Sequence, residues 1–185
     1  MSCREQPTRL HLIRHGEVAE EYHQVFGGRI ESSDALTDEL WHFNGSVWAQ
    51  LCSGDSVCTV DSDGNGVVNQ GAAGPSAREL ASFTYDRQTS RFWLFGGKSA
   101  AGFLNDLWSF DLASLAWTKH DCTWSACTVP TARQGMSVFL LDESNDDGQA
   151  LLFGGETAAG YSGELYALDM NTLKQVASGG GVEAY

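Results

Sequence analysis

Leu94-Phe95-Gly96-Gly97-Lys98 occurs three times along this chain in closely related form. The other two copies are Val25-Phe26-Gly27-Gly28-Arg29 and Leu152-Phe153-Gly154-Gly155-Glu156. Each copy is followed by a polar stretch and then by a short aromatic-centred segment, of which Asp106-Leu107-Trp108-Ser109-Phe110 is the clearest. Repetition of this kind predicts an array of similar β units, in which loops and faces carry the function.

The spacing of the copies supports the same conclusion. The glycine pairs lie 69 and 58 residues apart, and both intervals become 55 residues once a 14-residue insertion after Cys58 and three extra turn residues after Arg133 are subtracted. Pro75-Ser76-Ala77-Arg78 and Pro130-Thr131-Ala132-Arg133 precede the second and third glycine pairs. Pro7-Thr8-Arg9 precedes the first pair as a shortened form of the same string.

We expect three units, at residues 1–58, 75–129 and 130–185, with an acidic loop insertion at residues 59–74. The second unit serves as the template, because its short runs rich in Phe, Trp, Val and Thr are separated by turn residues. These runs predict strands at residues 80–85, 91–95, 106–110 and 116–120. The predicted fold class is therefore all-β, with antiparallel sheets.

Residues 25–178 resemble kelch repeats, through the Phe-Gly-Gly string, the Leu-Trp-x-Phe-Asp string and the later Trp48 and Trp117. The resemblance implies four-stranded blades of a partial β-propeller, about three in number. The third blade is degenerate, because Tyr166 replaces Trp and Gln175 stands near the place of the last Trp. Propellers close with about four to eight blades, so we expect a propeller fragment or completion of the ring by self-association.

The kelch resemblance implies a binding or scaffolding module that has no catalysis of its own and takes a protein or a glycan as its partner. The net charge of −13 repels phosphate backbones, so no nucleic-acid partner is expected. No apolar run approaches the roughly 20 residues that span a bilayer, so no membrane partner is expected either.

Two pairs of cysteines recur at equivalent places. Cys52 and Cys58 follow Trp48 as Cys122 and Cys127 follow Trp117, with ten residues from each of these Trp residues to the second cysteine. Close cysteines repeated in a loop predict two local disulfides in an oxidising compartment, and hence an extracytoplasmic or secreted protein. Zinc binding by the four cysteines is the alternative, although the pairs lack the two-residue spacing of metal knuckles.

The insertion carries a candidate calcium site. Asp61, Asp63 and Asn65 occupy positions 1, 3 and 5 of an EF-hand-type loop, with glycine at position 6. The carbonyl of Val67 and the side chain of Asn69 would complete the shell. Position 12 lacks the bidentate Glu of that loop, and an ordinary polar turn is the alternative.

Residues 8–30 resemble the start of the histidine phosphatase family, which includes the phosphoglycerate mutases, through the string Thr8-Arg9-Leu10-His11-Leu12-Ile13-Arg14-His15-Gly16-Glu17. The resemblance implies that His15 attacks phosphorus and that Arg14 binds the phosphoryl oxygens. The second histidine, further arginine and acid of that family have no match downstream, and the kelch register places His15 opposite Thr84. A kelch-propeller enzyme fragment is the remaining alternative.

Overall fold

The structure is a computed structural model that describes most of the second and third units and part of the first. The described residues are 23–30, 33–43, 46, 48–52, 74–121, 129–141, 149–169 and 174–179. All regular structure in these ranges is β, in antiparallel sheets, as the sequence predicts. No helix in them could cross a membrane.

Three main sheets follow one another along the chain, and each is one blade. The first blade contains β1 (His23–Ile30), β2 (Ala35–Phe43) and β3 (Trp48–Cys52). The second blade contains β4 (Ser82–Asp86), β5 (Arg91–Phe95), β8 (Leu107–Asp111) and β9 (Ala116–His120), and a small hairpin of β6 (Lys98–Ser99) and β7 (Gly102–Phe103) interrupts it. The third blade contains β11 (Ser137–Leu140), β12 (Gln149–Phe153), β15 (Leu165–Asp169) and β16 (Lys174–Gly179), with β10 (Arg133–Gln134), β13 (Glu156–Thr157) and β14 (Gly160–Tyr161) at one end.

The strands of the second blade pair in sequence order without a register shift. Phe95 pairs with Leu107, and Phe92 pairs with Phe110, which in turn pairs with Trp117. Paired residues of antiparallel strands share one face of the sheet, so these two sets lie on opposite faces. Both faces of the second blade are therefore apolar, as expected of a blade between two others.

Two cores fill the spaces between the blades. The first core joins the first and second blades, where the ring of Phe26 packs edge-on against the indole of Trp117 with centroids 5.2 Å apart. The second core joins the second and third blades, where Trp93, Phe95 and Leu107 pack against the third sheet. Each blade is therefore stabilised by burial against its neighbour as much as by its own ladder.

In the third blade, strand β16 pairs with β15 across a register shift between Ala167 and Leu168. Gln175 pairs with Leu168 there, which is the position that Trp117 holds opposite Phe110 in the second blade. The outermost strand of the third blade thus forms without the tryptophan that packs at this place in the second.

Candidate functional site

The residues that follow the glycine pairs lie together at one end of the blades. The two small hairpins, the paired ends of β1 and β2, and the connecting loops at residues 74–81 and 129–136 meet there, and we call this the hairpin end. The opposite end carries the tight turns at residues 86–91 and 111–116, which Asp86 and Asp111 stabilise by accepting hydrogen bonds from nearby backbone amides.

Gly96 allows the loop of the third blade to approach the second. Its φ of 62° lies in the left-handed region. A Cβ at this position would stand 2.5 Å from Cε of Met136 and 2.8 Å from the carbonyl oxygen of Arg133. A side chain would therefore collide with the next blade, which explains why the repeat carries glycine here.

Arg78 joins the first blade to the second. Its amide donates to the carbonyl of Thr37 (3.3 Å), and its carbonyl accepts from the amide of Gly28 (2.9 Å), both in the first blade. Its guanidinium turns into the second blade, where Nη1 donates to the carbonyl of Gly96 (3.0 Å) and both Nη atoms donate to the carboxylate of Asp106 (2.6 and 2.9 Å). The side chain is 1% exposed, so the cation is buried with its partners in place.

Arg133 repeats this arrangement between the second and third blades. Its amide donates to the carbonyl of Leu104 and its carbonyl accepts from the amide of Gly97. Nη1 donates to the carbonyl of Gly154 (2.8 Å) and Nη2 to Oε2 of Glu164 (2.8 Å). The guanidinium also lies over the ring of Tyr166, 5.1 Å from its centroid.

The two carboxylates that face these arginines are held in the charged form. Burial raises the pKa of Asp106, but hydrogen bonds and charge from Arg78 outweigh it, and the net pKa is lowered. The hydrogen bond from Arg133 lowers the pKa of Glu164. Each acid stands two residues before an aromatic residue, and Asp106 also accepts from the indole of Trp108 (2.8 Å).

A charged groove of about 440 Å³ lies at the hairpin end where the first and second blades meet. Arg29 bridges the blades there, because its guanidinium donates to Glu79 of the next blade and to Asp34 of its own hairpin. This contact lowers the pKa of Glu79. Lys98 also lines the groove, and its Nζ lies 5.2 Å from the ring centroid of Phe103. The lining also includes Leu36, Ala77, Ser99 and Ala100.

Most of the site residues proposed from the sequence lie outside the described residues. Arg14 and His15 do so, as do the candidate calcium ligands Asp61, Asp63, Asn65, Val67 and Asn69. In the part of the chain that the structure describes, no three His, Cys, Asp or Glu side chains are placed to hold a metal. The phosphatase and calcium sites stay predictions.

Cys52 is the one cysteine within the described ranges. It is 2% exposed in the core between the first two blades and is disulfide-bonded. The cysteine bonded to Cys52 is not among the described residues. Cys58, Cys122 and Cys127 all lie outside them. The two local pairs therefore stay predictions.

The sequence pattern predicted no role for Arg78 and Arg133, which marked only the spacing of the repeats. Their partners lie 28 and 31 residues away, so no local pattern reveals the contact. The available signal was the joint recurrence of Pro-x-Ala-Arg and of an acid two residues before the aromatic of the third strand, as in Asp106 and Glu164.

Sheets stacked face to face through shared cores, with glycine pairs at one end, define blades of a kelch-type β-propeller. The family model described as KLHDC2/KLHL20/DRC7 Kelch-repeats domain matches residues 18–179, and the chain belongs to this kelch-repeat family. No curated protein matches it. The matched residues begin after Arg14 and His15, so the match gives no support to the phosphatase resemblance.

Proposed function

We propose that this chain is a protein-binding module that takes its partner at the hairpin end. Kelch-repeat domains generally mediate protein–protein interaction, which supports a protein partner. The observation that carries the choice of surface is the groove between the first and second blades, which Arg29, Asp34, Glu79 and Lys98 line together with apolar side chains such as that of Leu36. A lining with charges of both signs and apolar side chains suits a peptide segment that carries both charged and apolar side chains.

The net charge of the protein indicates which class of partner it attracts. With a net charge of −13 the protein attracts basic surfaces over long distances and repels acidic ones. A basic protein segment therefore fits best, and a glycan is the second partner class. Self-association to complete the propeller would involve the third blade, where Phe153 and Leu165 are exposed, and not the groove.

A random peptide library displayed on phage tests this proposal without a known partner. Peptides enriched on the wild-type protein should lose binding to Lys98→Glu, which reverses a charge in the groove. Lys119→Glu is the matched control, since Lys119 lies on β9 away from the groove and pairs only with Asp121 in the described structure. Failure to enrich any peptide, or equal loss with both variants, would argue against the groove.

The histidine phosphatase remains the alternative function, because the Arg14-His15-Gly16 string matches the nucleophile motif of that family. It predicts hydrolysis of p-nitrophenyl phosphate that disappears in His15→Ala. Turnover that is absent, or equal in the variant, removes this alternative. A kelch-propeller enzyme fragment would need Tyr, His and Cys around a common axis, and nothing in the described structure favours it.

We also propose that the protein works in an oxidising compartment and holds calcium in its insertion. The first proposal is supported by the repeated cysteine pairs and predicts that Cys52, Cys58, Cys122 and Cys127 do not react in a thiol titration in denaturant without reductant. The second is supported by the Asp61, Asp63 and Asn65 spacing. It predicts weak calcium binding by calorimetry that Asp63→Ala abolishes.

A further inference from the structure

The connecting loops at the two described junctions are held on the preceding blade by the same pair of backbone hydrogen bonds. At the second junction the carbonyl of Arg133 accepts from the amide of Gly97 (2.8 Å), and its amide donates to the carbonyl of Leu104 (2.9 Å). Arg78 makes the same two bonds to the first blade. Each of these blades thus presents one amide and one carbonyl that hold a single residue of an adjacent extended segment.

The third blade presents the same two backbone groups. The amide of Ser162 donates to the carbonyl of Gly155 (2.9 Å) as that of Leu104 donates to Gly97 (2.9 Å), so these residues occupy equivalent positions. Within the described ranges, the amide of Gly155 and the carbonyl of Ser162 make no backbone hydrogen bond. Both residues line a cleft of about 460 Å³. A Cβ on Gly154 would meet only the Ser162 carbonyl oxygen there, at 3.4 Å, among the described residues, so an extended segment has room.

The side chains of this cleft favour a cation. Gln134 is 9% exposed and donates from Nε2 to Oε2 of Glu156 (2.6 Å), while its Oε1 has no hydrogen-bond partner in the part of the chain that the structure describes. A buried acceptor oxygen beside a carboxylate calls for a donor, and a cationic donor makes the strongest bonds to both. The half-exposed ring of Phe153 and the exposed ring of Tyr161 also line the cleft, and aromatic rings attract cations as well.

The first junction indicates which residue of a docked segment reaches these oxygens. Glu79 follows the docked Arg78, and it accepts from Arg29, which follows the glycine pair of the first blade. Glu156 follows the glycine pair of the third blade. The residue after the docked one should therefore face Glu156, and a basic side chain complements it, just as an acidic one complements Arg29. The net charge of −13 adds long-range attraction for such a segment.

We propose that the third blade binds an extended, basic segment of a partner protein in this cleft. One residue of the segment pairs through its backbone with the amide of Gly155 and the carbonyl of Ser162. The next residue is Lys or Arg, and its side chain bonds to Glu156 and to Oε1 of Gln134. Backbone pairing supplies the affinity and the basic side chain supplies the specificity. This inference rests on the proposal that the chain binds protein, but it does not depend on the groove between the first two blades.

A peptide that copies a connecting loop tests this site. The sequence of residues 75–80 docks on the first blade. The probe is therefore a capped peptide of that sequence with Glu79→Lys, and the unchanged peptide is its control. Titration of the isotope-labelled full chain, followed by NMR, should shift the amide resonance of Gly155. The Lys peptide should bind about fivefold more tightly than the Glu peptide, as one partly exposed ion pair allows.

Charge variants of the cleft locate the preference. Glu156→Lys should reverse it in favour of the Glu peptide, because the charge that faces the docked segment changes sign. Glu156→Gln keeps an oxygen that accepts from Gln134 and should bind the two peptides equally, so it serves as the test if the Lys variant does not fold. Lys98→Glu, in the groove between the first two blades, is the matched control and should keep the wild-type preference.

Several outcomes would overturn the proposal. They are no binding of either peptide, equal binding of both by the wild type, an unmoved Gly155 resonance, a preference lost in Lys98→Glu, and a doubled solution mass in which a second copy covers the cleft. Phage peptides that still depend on Lys98 would then leave the groove as the binding surface. Failure of both experiments would instead remove the proposed protein-binding function.

Discussion

Arg78 and Arg133 are buried cations that connect consecutive blades. Each uses its backbone to bond the preceding blade and its guanidinium to bond a carbonyl and a carboxylate of its own blade. A buried charge is tolerated only when its donors are satisfied, and a carboxylate that accepts from both Nη atoms, as Asp106 does, gives that satisfaction with defined geometry. At each of these junctions one arginine thus adds polar contacts to those that the apolar core makes between consecutive blades.

Arg78→Ala should destabilise the protein by about 3 kcal/mol, because it leaves Asp106 and the carbonyl of Gly96 without their donor in a largely buried place. Arg78→Lys should recover only part of this loss, since an ammonium cannot serve both acceptors with the same geometry. Urea unfolding would measure both variants. Arg87→Ala, at an exposed turn, should match the wild type, and a similar loss there would contradict the argument.

The lowered pKa of Asp106 makes the stability of the protein depend on pH in the acid range. A carboxylate whose folded pKa is lowered contributes stability that is complete above its unfolded pKa of about 3.9 and is lost as the pH falls through the folded value. The melting temperature should therefore fall below about pH 4. Asp106→Asn should be less stable at pH 7 but lose less on acidification, and parallel pH profiles for the two proteins would refute this role.

At the scale of the elements, the alternation of apolar runs and turn residues predicted the strands of the second blade to within one or two residues. The two-residue strands β6, β7, β10, β13 and β14 were not predicted, because so short a segment shows no alternation of apolar and polar residues. Their pairing comes from the glycine pair, which turns the chain out of the main sheet, and from the neighbouring loop that bonds it.

Gly96 and Gly135 illustrate two different reasons for glycine in these loops. At Gly135 the reason is a positive φ alone, and at Gly96 it is a positive φ combined with a close contact to the next blade. Their φ angles are 62° and 64°, but a Cβ on Gly135 would meet nothing within 4 Å among the described residues. Gly135→Ala should cost about 1 kcal/mol from backbone strain alone. Gly96→Ala should cost roughly 2 kcal/mol more, because Met136 and the Arg133 loop must move. Denaturant unfolding of the two variants gives the difference, and equal losses would show that the blades are not in this close contact.

At the scale of the whole molecule, the repeat predicted the blades and their stacking, and the family match confirms the kelch assignment. The sequence could not show that the interfaces depend on arginines, since those contacts join residues far apart in the chain. It also did not show the charged groove, whose members come from two blades. Arg29 and Glu79 are 50 residues apart, and they meet only because the sheets stack.

Hydrogen exchange of the two connecting loops tests most directly whether the blades are stacked in this way. Residues 74–81 and 129–136 each contain one Pro and one Gly and form little regular structure, and the amides of such loops exchange rapidly when they are free. Here the amides of Arg78, Glu79, Arg133 and Gly135 donate to backbone carbonyls across the hairpin end. Mass spectrometry should find these amides protected to the same extent as those of β5. Rapid exchange in both loops, with β5 still protected, would contradict the stacked arrangement.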